Sequence, residues 1–155
     1  MMKMKNIVIG CDNAGVEFKN EIISYLYKAG YQVEDVGVDN PEDYTYYPFI
    51  AQKACYSIIE SGFEKDGILI CGTGIGMAIT ANKFKGIRAA VCHDIYSTRR
   101  SRLSNDGNVM CMGARVIGQE NAKILVEEWL SLQFKDGSST PKVETIRMME
   151  DKNMK

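Results

Sequence analysis

Ile68-Leu69-Ile70-Cys71-Gly72-Thr73-Gly74-Ile75-Gly76-Met77 decides how the rest of the chain is read. Its apolar opening lacks alternation, the pattern of a strand buried on both faces in a parallel sheet. The glycines end that strand, and the small-residue segment from Ala78 to Lys83 starts a helix. Cys71 thereby falls at the carboxyl end of a strand, the edge at which open α/β sheets hold ligands. Gly72, Gly74 and Gly76 let backbone N–H groups converge, and the helix adds its positive end, so the turn is a candidate cradle for an anion or oxyanion. The same field favours a thiolate at Cys71, whereas the competing reading is an inert packing cysteine. The pattern is neither GxGxxG nor a Walker A loop, which puts a nucleotide site behind both.

Toward the N-terminus, Asn6 to Gly10 is a short apolar run read as the first strand, with Cys11-Asp12-Asn13-Ala14-Gly15 as the turn after it. Apolar residues at helical spacing predict a helix over Val16 to Lys28, stopped by Gly30, and Tyr31 to Val36 is the second strand. These segments make a βαβ unit with a right-handed crossover. Gly37 to Tyr47 is polar and turn-rich, and Pro48 starts a second helix running to about Ser61. Tyr44, Tyr46 and Tyr47 precede that helix, where they either cover the sheet edge or wall a ligand site.

Toward the C-terminus, Asp66 to Cys71 is the third strand and Arg88 to Cys92 the fourth. His93-Asp94 follows directly, either as chemistry or as a cap and a satisfied polar residue at a strand end. Ile95 to Leu103 is expected to be helical, with Arg99, Arg100 and Arg102 on a solvated or subunit-facing surface. After the turn Ser104-Asn105-Asp106-Gly107, Asn108 to Met112 is the fifth strand. Gly118 to Phe134 is the last long helix, with Ala122, Ile124, Leu125, Trp129 and Leu132 turned inward. The tail from Lys135 is polar, then amphipathic from Pro141 to Met149, and is expected to pack on a neighbouring subunit. Five strands alternating with helices predict an α/β fold, a Rossmann-like three-layer α/β/α sandwich around a five-stranded parallel sheet. Its carboxyl edge is expected to gather Asp12, Asn13, Tyr47, the Cys71–Gly76 turn, His93, and Ser104 with Asn105.

A chain of 155 residues is read as one domain, 1–155. The formal net charge of -1 leaves no basic face for nucleic acid. No apolar run reaches the length of a membrane span and no signal-peptide core opens the chain, so a cytoplasmic protein is expected. The five cysteines lack metal-ligand spacing and the sole histidine is His93, which argues against a metal site.

Six segments stand out together: Gly10-Cys11-Asp12-Asn13-Ala14-Gly15, Tyr47-Pro48, Cys71-Gly72-Thr73-Gly74-Ile75-Gly76 with Ala81-Asn82-Lys83, Arg88-Ala89-Ala90, Asn105-Asp106, and Gly113-Ala114-Arg115-Val116-Ile117-Gly118. Jointly they resemble the type B ribose-5-phosphate isomerase family, which includes the subunits of galactose-6-phosphate isomerase. The resemblance runs from about Ile7 to Ile146. It implies aldose–ketose isomerisation of a phosphorylated sugar through an enediolate, without metal or cofactor. Cys71 would be the base between C1 and C2, Thr73 would assist ring opening, and the amides of Gly72, Gly74, Ile75 and Gly76 would hold the enediolate oxygen. Asp12, Asn105 and Tyr47 would orient and wall the sugar. The resemblance also implies a homodimer or homotetramer with the site between subunits, which gives Arg115 a role.

The chain departs from the family pattern at defined positions. Asp12-Asn13 stands for the usual Asp-His, and Ser104-Asn105 for the usual His-Asn whose histidine aids ring opening. The phosphate-binding arginines of the tail fall on Ser138 and Lys142. Asn13, Ser138 and Lys142 still offer donors to a phosphate, without a bidentate fork. Ribose 5-phosphate is the expected substrate. The alternatives are a hexose phosphate such as allose or galactose 6-phosphate, a subunit of a heteromeric isomerase, and a non-catalytic sugar-phosphate-binding protein.

Overall fold

The computed structural model describes residues 4–155. Five strands, β1 (Asn6–Cys11), β2 (Val33–Asp35), β3 (Lys65–Cys71), β4 (Ala89–Val91) and β5 (Val109–Gly113), form one sheet of order β2-β1-β3-β5-β4 with every pairing parallel. Six helices alternate with them: α1 (Val16–Lys28), α2 (Tyr47–Glu60), α3 (Ile75–Ala81), α4 (Ile95–Leu103), α5 (Gln119–Leu130) and α6 (Thr140–Asn153). Helices α1, α4 and α5 pack together on one face, and α2 and α3 on the other. This is the Rossmann-like three-layer sandwich that the apolar runs predict.

The central strands carry the core because they are covered on both sides. Ile7, Val8 and Ile9 of β1, Ile68, Leu69 and Ile70 of β3, and Met110, Cys111 and Met112 of β5 have no exposed surface. Each aliphatic side chain so buried contributes about 1.5–3 kcal/mol. The outer strands β2 and β4 have three residues each and are only partly covered, which is why they are shorter than the sequence suggests.

Three helical expectations change. Helix α3 begins at Ile75 rather than Ala78, because left-handed Gly74 (φ 80°) turns the chain straight into it. Helix α5 ends at Leu130, and Ile124 is 58% exposed instead of turned inward. The α4 arginines divide: Arg99 and Arg100 are exposed, but Arg102 is 7% exposed and is not a solvated charge. Its guanidinium binds Asp66 Oδ2 at 2.6 Å, the Trp129 carbonyl at 3.0 Å and the Gly107 carbonyl at 2.8 Å, and it stacks 3.6 Å from the Trp129 ring centre.

Helix α6 makes contacts within its own chain. Glu150 accepts the Gly86 amide at 3.0 Å, Arg147 pairs with Asp106 at 2.8 Å and Lys85 with Asp151 at 3.0 Å, while Val143 is buried. Ile146, Met148 and Met149 stay exposed. Among the described residues, no helix is long and apolar enough to cross a membrane.

Candidate active site

The connection from β1 to β2 runs outward in one direction and that from β2 to β3 returns to the other side of β1, so the order reverses between β1 and β3. A crevice at the carboxyl ends of those two strands is the place such sheets provide for a ligand. Cys11 and Cys71 end the two strands there.

Cys71 is 5% exposed, and its Sγ accepts the Gly74 amide at 3.1 Å. That geometry depends on Gly74. With φ at 80°, the backbone N–H points back at the sulfur, and a Cβ would come within 2.9–3.1 Å of the Met112 backbone. Thr73 is exposed, and its Oγ1 accepts the Ile75 amide at 3.3 Å, so the hydroxyl hydrogen remains free to donate outward. The Arg115 side chain covers Gly72, and a Cβ there would meet its guanidinium at 3.2 Å. On the other flank, Tyr47, the first residue of α2, lays its ring against Gly76, where a Cβ would collide with it. Tyr47 remains 39% exposed, so the ring is a wall rather than buried packing.

Burial pushes the Cys11 and Cys55 thiols up to about 12, raises Cys92, and raises Cys111 well above the usual thiol range. Cys11 and Cys92 also lie near charges that act both ways. All four therefore remain protonated at neutral pH, as packing groups.

From β1, the Asp12 carboxylate accepts the Ala14 amide at 3.0 Å and fixes the single 3-10 turn Asn13–Gly15. A cap of this kind is worth about 1 kcal/mol. It holds Asp12 and Asn13, both half-buried, beside the β3 turn, and the Asp12 amide reaches the Ile70 carbonyl at 3.3 Å. Asp12, Asn13, Tyr47, Cys71, Thr73, Gly72, Gly74, Ile75, Gly76 and Arg115 thus belong to one edge.

Ser104 and Asn105 do not. They lie between α4 and β5, and every strand runs the same way, so a turn leading into a strand falls at the amino edge, opposite Cys71. The expectation that one carboxyl edge gathers them with Cys71 is corrected on that ground. The Asn105 amide donates to the Arg100 carbonyl at 3.2 Å, closing α4. Ser138 and Lys142 sit before and in the first turn of α6, both exposed, with no side-chain bond among the described residues.

His93 and Asp94 bear out the reading of a satisfied polar residue and a cap at a strand end, whereas the contacts of Asn82 and Lys19 were missed in the sequence. His93 Nε2 accepts the Gly113 amide at 2.8 Å, so this is a satisfied polar side chain, while Asp94 caps α4 through the Ser97 amide at 3.0 Å. Asn82 clasps Ala89 through both amide groups, at 2.9 and 2.8 Å, and so anchors edge strand β4. Lys19 has no exposed surface. It reaches the Val38 carbonyl at 2.7 Å and Asp35 at 2.8 Å. Burial alone would lower its pKa, but the bond and charge of Asp35, with Cys11 and Asp39, outweigh that and raise it. Only Asn82, by its place after the glycine turn, carried a sequence signal. A lysine in an amphipathic helix gives none.

Residues 7–146 match the family model described as Ribose/Galactose Isomerase. The chain belongs to the ribose/galactose isomerase family. It is 47% identical over 147 residues to D-erythrulose-4-phosphate isomerase of Pectobacterium atrosepticum, covering 95% of this chain and 96% of that protein. It is 45% identical over 150 residues to ribose-5-phosphate isomerase B of Escherichia coli, covering 96% and 99%. Among solved structures it is similar to ribose-5-phosphate isomerase B of Clostridium thermocellum, with TM-score 0.89 and 40% identity over 95% of this chain and 98% of that one. The matched residues 7–146 include both the Cys71 turn and the amino-edge turn of Ser104 and Asn105.

Proposed function

We propose that the protein is an aldose–ketose isomerase of a phosphorylated sugar, with Cys71 as the base and ribose 5-phosphate as substrate. The observation that carries this reading is the Cys71 Sγ at the lip of a glycine turn, with the Gly74 N–H at 3.1 Å, in a chain of the ribose/galactose isomerase family. In the open-chain aldose the sulfur takes the C2 proton, and the electron pair moves into the C1–C2 bond as the carbonyl oxygen O1 becomes an oxyanion. A proton passes from O2 to O1, and the sulfur returns its proton to C1, leaving a carbonyl at C2. The backbone amides of Gly72 and Gly76 hold the oxyanion, a service worth on the order of 3 kcal/mol for one donor. Thr73 donates its free hydroxyl hydrogen to the ring oxygen as the sugar opens. Asp12 orients the sugar hydroxyls, Asn13 donates to the phosphate, Tyr47 closes one side, and Arg115 brings positive charge to the lip.

The remaining groups, the sugar contacts of Ser104 and Asn105 and the phosphate donors Ser138 and Lys142, come from a second copy. Ser104, Asn105, Ser138 and Lys142 cannot reach Cys71 within one chain, so a homodimer or homotetramer that sets one copy's amino edge and α6 against the other's carboxyl edge completes the site.

A second reading is favoured by one specific relative, the D-erythrulose-4-phosphate isomerase at 47% identity. A tetrose phosphorylated on O4 has no hydroxyl with which to close a five-membered ring, so it needs no ring-opening acid. Ser104, where the resemblance implies such a histidine, suits a substrate of that kind. The test is the isomerisation rate of the purified protein and of Cys71→Ala on ribose 5-phosphate, erythrulose 4-phosphate, allose 6-phosphate and galactose 6-phosphate. Turnover of the pentose phosphate that Cys71→Ala abolishes is the expected result. Preference for the tetrose phosphate establishes the second reading, and full activity of Cys71→Ala removes the thiol base.

A further inference from the structure

The Gly113 amide has an unusual partner. In the parallel pairing of β4 with β5, Val91 lies opposite Cys111 and the Cys92 amide donates to the Cys111 carbonyl at 3.0 Å. One step further, the Cys92 carbonyl would receive the Gly113 N–H. Instead β4 ends at Val91, the chain turns away into α4, and the Gly113 N–H goes to His93 Nε2 at 2.8 Å. A side chain replaces one rung of the sheet at the edge that holds the site.

What Gly113 supports is the Cys71 turn itself. Gly113 lies opposite Cys71 in the β3–β5 register, the next amide, Ala114, donates to the Cys71 carbonyl at 2.9 Å, and the Arg115 amide donates to the Gly72 carbonyl at 3.1 Å. The packing is tight enough that a Cβ on Gly113 would lie 2.6 Å from Thr73 Cα and 2.8 Å from the Gly72 carbonyl. Met112, one residue earlier, is the backbone against which Gly74 makes its left-handed turn. Residues 112–115 are the floor of the cradle.

We propose that His93 is a positioning residue of the active site, a neutral ring standing in for a missing strand carbonyl so that the floor under Cys71 and Arg115 stays in register. The role rests on the isomerase reading for its effect on rate, and on geometry alone for the hydrogen bond. An N–H donor at Nε2 requires a lone pair there, so the ring proton is on Nδ1. Protonation of the ring would set two N–H groups against each other and release Gly113. Burial lowers the pKa of His93, opposed by the adjacent Asp94. The other titratable groups on neighbouring elements are the thiols of Cys71, Cys92 and Cys111 and the Arg115 guanidinium. The folded state binds the proton more weakly than the unfolded chain. The hold on Gly113 is therefore complete above the ordinary histidine range, near 6.5, and is lost as pH falls below it.

Because His93 is the sole histidine, its ring nitrogens give unique NMR signals in the full-length protein. The expected spectrum shows Nδ1 protonated and Nε2 bare, with the Gly113 amide shift following the ring titration. A ring protonated at Nε2 in the neutral form, or a Gly113 amide indifferent to that titration, overturns the proposal whether or not any sugar is turned over. In kinetics, His93→Gln offers a carbonyl acceptor that does not titrate. It is expected to keep kcat within about threefold at neutral pH and to lose part of the acid-side fall. His93→Leu is expected to lose roughly 10- to 100-fold in kcat with a smaller change in KM, the size of effect that misplacing a reacting group produces. A His93→Gln protein as impaired as His93→Leu would make the imidazole a chemical participant and overturn a positioning role, as would a folded His93→Leu protein of undiminished kcat.

Discussion

The two edges of the sheet are built from opposite materials. At the carboxyl edge, the Cys71 turn is nearly bare backbone: three glycines, one sulfur bonded to one amide, and a threonine with a hydrogen to spare. At the amino edge, Arg88 and Arg147 both pair with Asp106, the Asn108 side chain accepts the Arg88 amide, and Arg102 pairs with Asp66 almost fully buried. Backbone amides offer a developing anion fixed donors at little cost in side-chain entropy, but only glycine lets a ligand come that close. Side-chain networks do the reverse, fixing loops firmly while using up their own donors. The glycine edge stays open to a ligand, while the side-chain edge fixes the loops around it.

If that division is right, substitutions at the two edges separate rate from stability. The largest effect is expected for Cys71→Ala, a fall of roughly 10²- to 10⁴-fold in kcat, the range for removal of a positioned acid or base. Its thermal midpoint should stay within about 4 °C of wild type, a shift worth no more than about 1 kcal/mol. Arg102→Met is the converse. Stranding the buried Asp66 carboxylate costs about 3–5 kcal/mol, read from urea unfolding, while kcat per folded molecule falls far less than in Cys71→Ala. A folded Arg102→Met protein with Cys71-like loss of rate would break the division. Gly74→Ala sits on the boundary. An alanine at φ 80° is strained by about 1–2 kcal/mol and also presses on Met112, so this change should lower both stability and rate.

The sequence carried the carboxyl edge better than the amino edge for the same reason. A glycine turn after an apolar run announces its conformation locally, so Cys71, Thr73 and the cradle amides were placed without any knowledge of the partners around them. Strand direction was legible too, since alternation with helices leaves little choice but a parallel sheet. That same rule implied that Ser104 and Asn105, which lead into β5, lie opposite Cys71. The reading failed there by following motif resemblance instead of strand direction. Arg102 was illegible on other grounds: three arginines on one helix look alike in sequence, and only the distant Asp66 and Trp129 select the one that turns inward. Lys19 is hidden in the same way by Asp35 and Val38.

Comparing the edges by thiol chemistry depends on the interior between them staying silent. At pH 8 a small alkylating reagent should modify one thiol, Cys71, and a sugar phosphate should protect it, because the other four are packing groups whose burial keeps them protonated. More than one equivalent in the native protein would mean that the interior opens as readily as the site. The same burial also makes stability depend on pH. Cys11 and Cys55 have folded pKa values of about 12 against 9.0 for an ordinary thiol. As pH rises above 9 the unfolded chain gives up these protons while the folded chain keeps them. The stability associated with each buried thiol is therefore fully present below pH 9 and is lost up to about pH 12. The slope is at most about 1.4 kcal/mol per pH unit for each thiol. Cys55→Ala removes one of the two, so the difference between its unfolding free energy and that of wild type should narrow steadily over that range. A difference that stays constant with pH would mean that Cys55 ionises as easily in the folded protein as in the unfolded one. The silence of the interior thiols would then need another cause, such as lack of access for the reagent.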